Sequence, residues 1–261
     1  MPKAIALDTL IAELTAYVDP HSIPDFAPTG LQVRGGSTVR RVALGVSANL
    51  ALFRLAAEWS ADLVLVHHGL FWEAENPDLG PAKPFDEARA SFLRDRSMSL
   101  AAYHLPLDAH PEAGNNVALA RGLGLKQIAH DFGDLPGTEV KVGVSARAVP
   151  SITPDELLRR CEQLCGQPVQ LTPSGPERIE TIGIISGGAT RYLYSAIARG
   201  YDAFLTGEGR EWAVAVAEEG GIHFLAAGHY ATEVLGVQAL GRWITSRYAL
   251  ETRFFPLSNP Y

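Results

Sequence analysis

The sequence is short of what several protein classes require. Only two cysteines, Cys161 and Cys165, occur in 261 residues. They stand one helical turn apart in DELLRRCEQLCG, which argues for two inward thiols on a helix and against a disulfide framework or a zinc knuckle. No apolar run approaches the roughly 20 residues that cross a bilayer, so no membrane association is expected. Cationic excess is missing as well. The net charge is −7, which makes nucleic acid an unexpected partner. Low-complexity tracts and a Walker-type phosphate loop are absent. The opening MPKAIALDTLIAELTAYV has one lysine, two acids and helical spacing, unlike a signal peptide, and a cytoplasmic protein is the expectation. What is present is an ordinary globular balance, 47% hydrophobic and 20% charged. The chain is long enough for one large domain or two modest ones.

The organisation reads as alternating strand and helix. RVALGV, the helical stretch NLALFRLAAEWS and the buried-strand pattern DLVLVHHG follow one another, an order that favours parallel pairing. The polar, proline-rich EAENPDLGPAKPFDE interrupts before the helix ARASFLRDR and the strand MSLAAY. A middle region carries the strand TEVKVGVSARAV and the helix TPDELLRRCEQL, capped by Thr153. Then the pattern returns: ETIGIISGGATRYLYSAIARGYDAFLTGEG mirrors RVALGVSANLALFRLAAEWSADLVLVHHG. Asp202 and Gly209 each lie 140 residues after Asp62 and Gly69. The expected fold class is therefore α/β, with two related α/β halves whose mixed, largely parallel sheets are flanked by helices. Residues 1–125 form the first domain, completed by 225–261, and 126–224 form the second. The C-terminal helical stretch GVQALGRWITSRYAL fits a core face or a subunit contact, core being the commoner case.

In open α/β sheets, ligands gather beyond the carboxyl ends of strands. Of the four strand ends VLVHHG, LAAYH, AFLTGE and FLAAGH, three carry histidine and the fourth carries Glu208. Adjacent strand residues face opposite ways, so His67 and His68 converge only where the strand ends, and Gly69 permits the break. The segments LAAYHLPLD and LAAGHYATE both read Leu-Ala-Ala-x-His-x-x-x-acid. His229 and Glu233, four apart on a helix starting near Tyr230, share one face. Pro106 and Pro111 disfavour a regular helix, so His104 and Asp108 are expected on a loop. Each pair alone fits a cap, a salt bridge or a buried polar contact equally well. Together, four histidines and two carboxylates are the ligand types of zinc, manganese and ferrous iron, in number enough for two ions.

These residues resemble a known family. HHGLFW, HLPLDAHPEAGNN and AAGHYATE, with PTGLQV and TGE, are similar to the Nif-three-like dinuclear metal-centre family, also called GTP cyclohydrolase I type 2 homologues. The resemblance spans nearly the whole chain and matches the family's short form. It implies a Nif-three-like fold of two α/β domains and a toroidal homohexamer built as a trimer of dimers. It also implies two divalent ions per subunit, zinc, manganese or iron. Matched by motif, His67, His68, Asp108, His229 and Glu233 correspond to the metal ligands, with Glu233 as the bridging carboxylate. His104 sits beside them as an outer residue or proton carrier, and Glu208 is a further candidate for contacting substrate. The chain departs from the family at Thr29, where asparagine is frequent nearby, and in GVSANL, where an acid is common. The implied function is a metal-dependent hydrolase or cyclohydrolase acting on GTP or a related nucleotide through metal-activated hydroxide, with His104 or Glu208 shuttling protons. The alternative is non-catalytic metal storage or delivery, or a hexameric scaffold. The turn Ser186–Thr190 is a candidate phosphate loop through its backbone N–H groups, a tight turn being the other reading.

Overall fold

The computed structural model describes residues 3–19, 23–72 and 84–259. Most of the proline-rich interruption, 73–83, lies outside the described residues. In chain order the structure opens with β1 (Ile5–Ala6), α1 (Leu7–Val18), β2 (Gly30–Val33), β3 (Thr38–Val39) and β4 (Arg41–Ser47). Next come α2 (Leu50–Glu58), β5 (Leu63–His68), α3 (Pro84–Arg94), β6 (Ser99–Ala102), α4 (Leu105–Asp108) and α5 (Asn115–Gly122). The middle holds β7 (Lys126–Asp134), β8 (Lys141–Ile152), α6 (Pro154–Cys165), β9 (Gln170–Thr172) and β10 (Ile179–Ile184). The chain then runs through α7 (Leu193–Ala198), β11 (Ala203–Thr206), α8 (Ala213–Gly220) and β12 (His223–Ala226). It ends with α9 (His229–Thr232), α10 (Val234–Tyr248) and β13 (Glu251–Phe254). Among the described residues, no helix is long and apolar enough to cross a membrane.

Two compact units emerge: the chain up to Leu107 with Gly236–Ser258, and Asp108–Leu235. The changeovers differ from the borders at 125 and 225 read from the repeat, for a packing reason. Leu119, Ala120 and Leu123 of α5 bury in the same cluster as Val144, Ile182, Leu205 and Leu225. That apolar surface commits α5 to the second unit.

In the first unit the five-stranded sheet runs β13-β4-β5-β6-β2, parallel except for β2. Its central strands β4, β5 and β6 are buried, largely apolar runs, as strands covered on both faces demand, whereas the edge strand β13 (Glu-Thr-Arg-Phe) is partly exposed. Leu7, Leu10, Leu14 and Val18 give α1 one fully buried stripe, and α2 starts where the Asn49 side chain accepts the Leu52 N–H. The stretch from Gly236 is core: Val237, Leu240, Gly241 and Ile244 are buried. A β-carbon on Gly241 would lie 2.3 Å from the Leu44 side chain, so the helix needs glycine to reach β4.

The second unit's six-stranded sheet, β7-β8-β10-β11-β12-β9, is mixed. Its β10, β11 and β12 are parallel neighbours, while β7, β8 and β9 pair antiparallel. Thr153 caps α6 as expected, accepting the Glu156 N–H. Cys161 is buried and Cys165 partly so, and burial raises both thiols, Cys165 to about 11. They pack as small apolar groups.

The internal repeat has matching hydrogen bonds in each unit. Asp62 Oδ2 accepts the backbone N–H groups of Arg40 and Arg41; Asp202 Oδ2 accepts those of Glu180 and Thr181. Each aspartate ties the start of its own strand to the start of the preceding one. The next strand then joins through the backbone carbonyl of the same aspartate, which accepts the Ser99 N–H at Asp62 and the His223 N–H at Asp202. Parallel register is thereby pinned at the amino ends, leaving the carboxyl ends to diverge in chemistry.

Candidate functional site

In the first unit, β4, β5 and β6 deliver Ser47, His67, His68 and His104 to one sheet edge, because parallel strands finish on the same side. His67 is fully buried and His68 half-buried. Their ring centroids lie 4.7 Å apart, and those of His104 lie 5.0 and 5.4 Å from His67 and His68. One ligand-type nitrogen from each of the three rings lies within 4.8 Å of the other two. The convergence does not use a left-handed Gly69, which is absent from the positive-φ residues. Glycine is needed there for space: a β-carbon on Gly69 would stand 2.2 Å from Gln32 Oε1, the atom that accepts the Leu70 N–H at 2.8 Å.

The protons on these rings are set by their partners. His67 Nδ1 lies 2.9 Å from the Tyr103 carbonyl. A carbonyl only accepts, so Nδ1 carries the hydrogen and Nε2 the lone pair. His104 Nδ1 donates to Asp25 Oδ1 at 2.7 Å, giving the same tautomer. Ser47 Oγ is 3.2 Å from His68 Nδ1. Trp72 closes over the cluster, edge-on to His104 at 5.1 Å.

The second unit gathers the carboxylates. Asp108 is not on a loop: it ends the one-turn helix α4. Pro106 is tolerated because it sits in the first turn, where its missing N–H has no helical partner to lose. The buried Asp108 carboxylate takes the Asn115 side-chain amide at 2.8 Å and Ser186 Oγ at 3.0 Å through Oδ1. At the ends of β11 and β12, Glu208 Oε1 is 2.6 Å from His229 Nδ1, and Glu233 Oε1 is 3.2 Å from His229 Nε2. His229 opens α9 and Glu233 ends it with φ −110°, ψ 2°. The i,i+4 spacing thus places them on one face, although the helix breaks at Glu233 and restarts as α10. Glu233 is 2% exposed. Burial by itself draws the His229 imidazole down. The charge and hydrogen bond of Glu233, then the hydrogen bond and charge of Glu208, outweigh it and push the ring up to about 10.

The Ser186–Thr190 stretch is a tight turn and not a phosphate cradle. The N–H groups of Ser186, Gly187 and Ala189 already donate to Asn116 Oδ1, Thr232 Oγ1 and Thr206 Oγ1. Its carbonyl at Gly187 accepts from Gly207 and Glu208. The turn instead supports the carboxylates: Ser186 holds Asp108, and a β-carbon on Gly187 would fall 2.3 Å from Glu233 Oε1.

Each unit therefore offers donors suited to a borderline divalent cation, imidazoles in one and buried carboxylates with an imidazole in the other. The residues missed by sequence reading are those behind the donors: Asp25, Asn115, Ser186 and Gly187. For Asp25, Ser186 and Gly187 the partners are distant in sequence, so no local pattern marks them; Asn115 lies seven residues from Asp108, within the stretch HLPLDAHPEAGNN.

Comparison with known proteins follows the same line. Residues 5–260 match the family model described as Duf34/NIF3 (NGG1p interacting factor 3). A Pseudomonas aeruginosa protein named GTP cyclohydrolase 1 type 2 homolog is 45% identical over 98% of this chain and 99% of its own length. A Pasteurella multocida protein of the same name is 40% identical over 95% and 96%. A crystal structure of a Thermus thermophilus protein superposes with a TM-score of 0.86 at 34% identity, covering 98% of this chain and 100% of that one.

Proposed function

The chain belongs to the Duf34/NIF3 family, and from that membership and the donor chemistry we propose that it binds two divalent ions and hydrolyses a small substrate with them. The residues that would hold the ions are His67, His68, Asp108, His229 and Glu233, with Glu233 the carboxylate suited to be shared between them. Zinc, manganese or iron fits such a set. GTP or a related nucleotide is the substrate class that the relatives' names suggest. The observation that carries the reading is the clustering of three imidazoles, two of them held with the lone pair on Nε2 by their Nδ1–H partners. When bound, a pair of ions supplies Lewis acidity and activates water at neutral pH. The protein's own groups do the rest. Asp108 is held by Asn115 and Ser186, and Glu233 is shielded from water. Glu208, one-third exposed, hydrogen-bonds His229 and would be the carboxylate that takes a proton from the attacking water. Purified protein given GTP with manganese, zinc or iron is expected to release formate. Turnover no higher than that of His68→Ala would sink the catalytic reading.

Metal binding is expected to be proton-linked. In the metal-free protein His229 carries a proton at pH 8, since its ring is raised to about 10. A ligand nitrogen needs its lone pair, so uptake displaces that proton and affinity weakens as pH falls. Calorimetric titration in two buffers of different ionisation heat should give enthalpies differing by about one proton per His229-bound ion; a buffer-independent heat contradicts the assignment. The sign for folding is the reverse. A histidine raised above its unfolded value of about 6.5 adds stability that is complete below that pH and is lost as pH rises through about 10.

A non-catalytic role in metal storage or delivery is favoured by the turn at Ser186–Thr190, where the N–H groups of Ser186, Gly187 and Ala189 are committed to the protein. Rapid exchange of metal to an acceptor chelator, with no hydrolysis across a nucleotide panel, would select it. The toroidal homohexamer, a trimer of dimers, is carried on the resemblance, and sedimentation velocity should show a six-subunit species.

A further inference from the structure

We infer that His104 is itself a metal-ligating imidazole and that Asp25 is the residue that positions it. The metal-binding face of the first unit then comprises three imidazoles, one more than the pair His67 and His68 that the family motif assigns. The inference rests on the reading above that these residues bind metal.

Asp25 has no counterpart in any motif, yet it is the most constrained carboxylate of this unit's edge. Its side chain is 3% exposed. Oδ1 takes the Phe26 N–H and His104 Nδ1, both at 2.7 Å, and Oδ2 takes the Leu105 N–H at 2.9 Å. The carboxylate thus grips both the His104 ring and the backbone that follows it. Rotation of the ring is blocked on another side by the edge of Trp72. The result is a fixed tautomer with the lone pair on Nε2. His67 is in the same electronic state, held there by the Tyr103 carbonyl.

A packing role would need none of this. Rings tilted against one another, as these are, gain their contact energy whichever nitrogen bears the proton, and a buried carboxylate is costly to place where only packing is required. A carboxylate behind an imidazole raises the basicity of the far nitrogen and fixes its direction, the arrangement found behind metal-bound histidines. Three imidazoles with mutually close ligand atoms are reconciled by a cation.

The test uses the full chain stripped by chelator and reloaded with Co(II) or zinc. Against a chromophoric competitor, His104→Gln and Asp25→Asn should each weaken binding by about 10–100-fold and alter the visible Co(II) bands. In Asp25→Asn the negative charge behind the ring is lost and one end of the amide, a donor, must face a backbone N–H, so His104 is held less firmly and its far nitrogen is less basic. Asp25→Glu, which keeps the carboxylate, should recover part of the affinity. Circular dichroism and melting of the metal-free variants check folding. If His104→Gln does not fold, the parent labelled with ¹⁵N-histidine and loaded with ¹¹³Cd decides, with cadmium splitting expected on the His104 ring. A His104→Gln protein with parental affinity and bands, or a His104 ring without splitting, overturns the inference while leaving the wider metal reading intact. A parent that binds neither ion overturns both.

Discussion

Gly187→Ala is expected to lower divalent-metal affinity at least tenfold, although residue 187 offers no ligand. Two features at this position act together. The backbone has φ +64°, a left-handed conformation that costs a residue with a β-carbon roughly 1–2 kcal/mol. The added carbon would also fall 2.3 Å from Glu233 Oε1 and 3.1 Å from His229 Nε2. Real atoms do not approach so closely, so something must shift. The Gly187 N–H and carbonyl are both engaged, with Thr232 and with the Gly207–Glu208 backbone. The glutamate carboxyl, at the end of a side chain, is the part that can give. Its displacement breaks the Glu233–His229 geometry, and losing the support of a ligand typically costs about 10–100-fold in affinity. Backbone strain alone should lower the melting temperature of the metal-free protein by a few degrees. The check is a melt without metal beside a competition titration with it. Parental affinity in Gly187→Ala would show that the close approach to Glu233 has no bearing on binding.

Glu233→Gln is expected to produce the larger loss, beyond 100-fold, because it removes the charge of a proposed bridging ligand while keeping its volume. The same substitution has a second signature that requires no metal. Glu233 contributes both charge and a hydrogen bond to the elevation of His229. With glutamine in place, burial regains ground and the ring should titrate nearer the ordinary value of about 6.5. An NMR pH titration of the histidine ring protons in metal-free parent and variant reads this directly. Affinity that survives Glu233→Gln, or a His229 titration that does not fall, would remove Glu233 from the role assigned to it.

Both substitutions expose how unevenly the site was legible beforehand. His67, His68, His229 and Glu233 stood out because their chemistry is local: adjacent histidines at a strand end, or an i,i+4 pair at a helix start. The one-turn helix ending at Asp108 is not legible from a sequence in which Pro106 and Pro111 disfavour helix, because only its position in the first turn makes Pro106 harmless. The Ser186–Thr190 turn was open to a phosphate reading because a glycine pair after a strand looks alike whether its N–H groups face a ligand or a side chain. Here they face Asn116, Thr232 and Thr206. The domain borders differed because the repeat marks where strand-helix units match, whereas compactness depends on which core a helix buries its face in, and α5 buries into the second.

By itself the sequence determined the alternation of strands and helices, the repeated unit and the residue types that end each strand. Periodicity and short-range spacing encode these, since they follow from backbone geometry within a few residues. Only the tertiary structure decided which groups stand behind the donors: Asp25 behind His104, Ser186 and Asn115 behind Asp108, and the bare face of Gly187 against Glu233. Apart from Asn115, seven residues from Asp108, these partners come from segments tens of residues apart. No pattern along the chain records that meeting, because it depends on the folding of everything between.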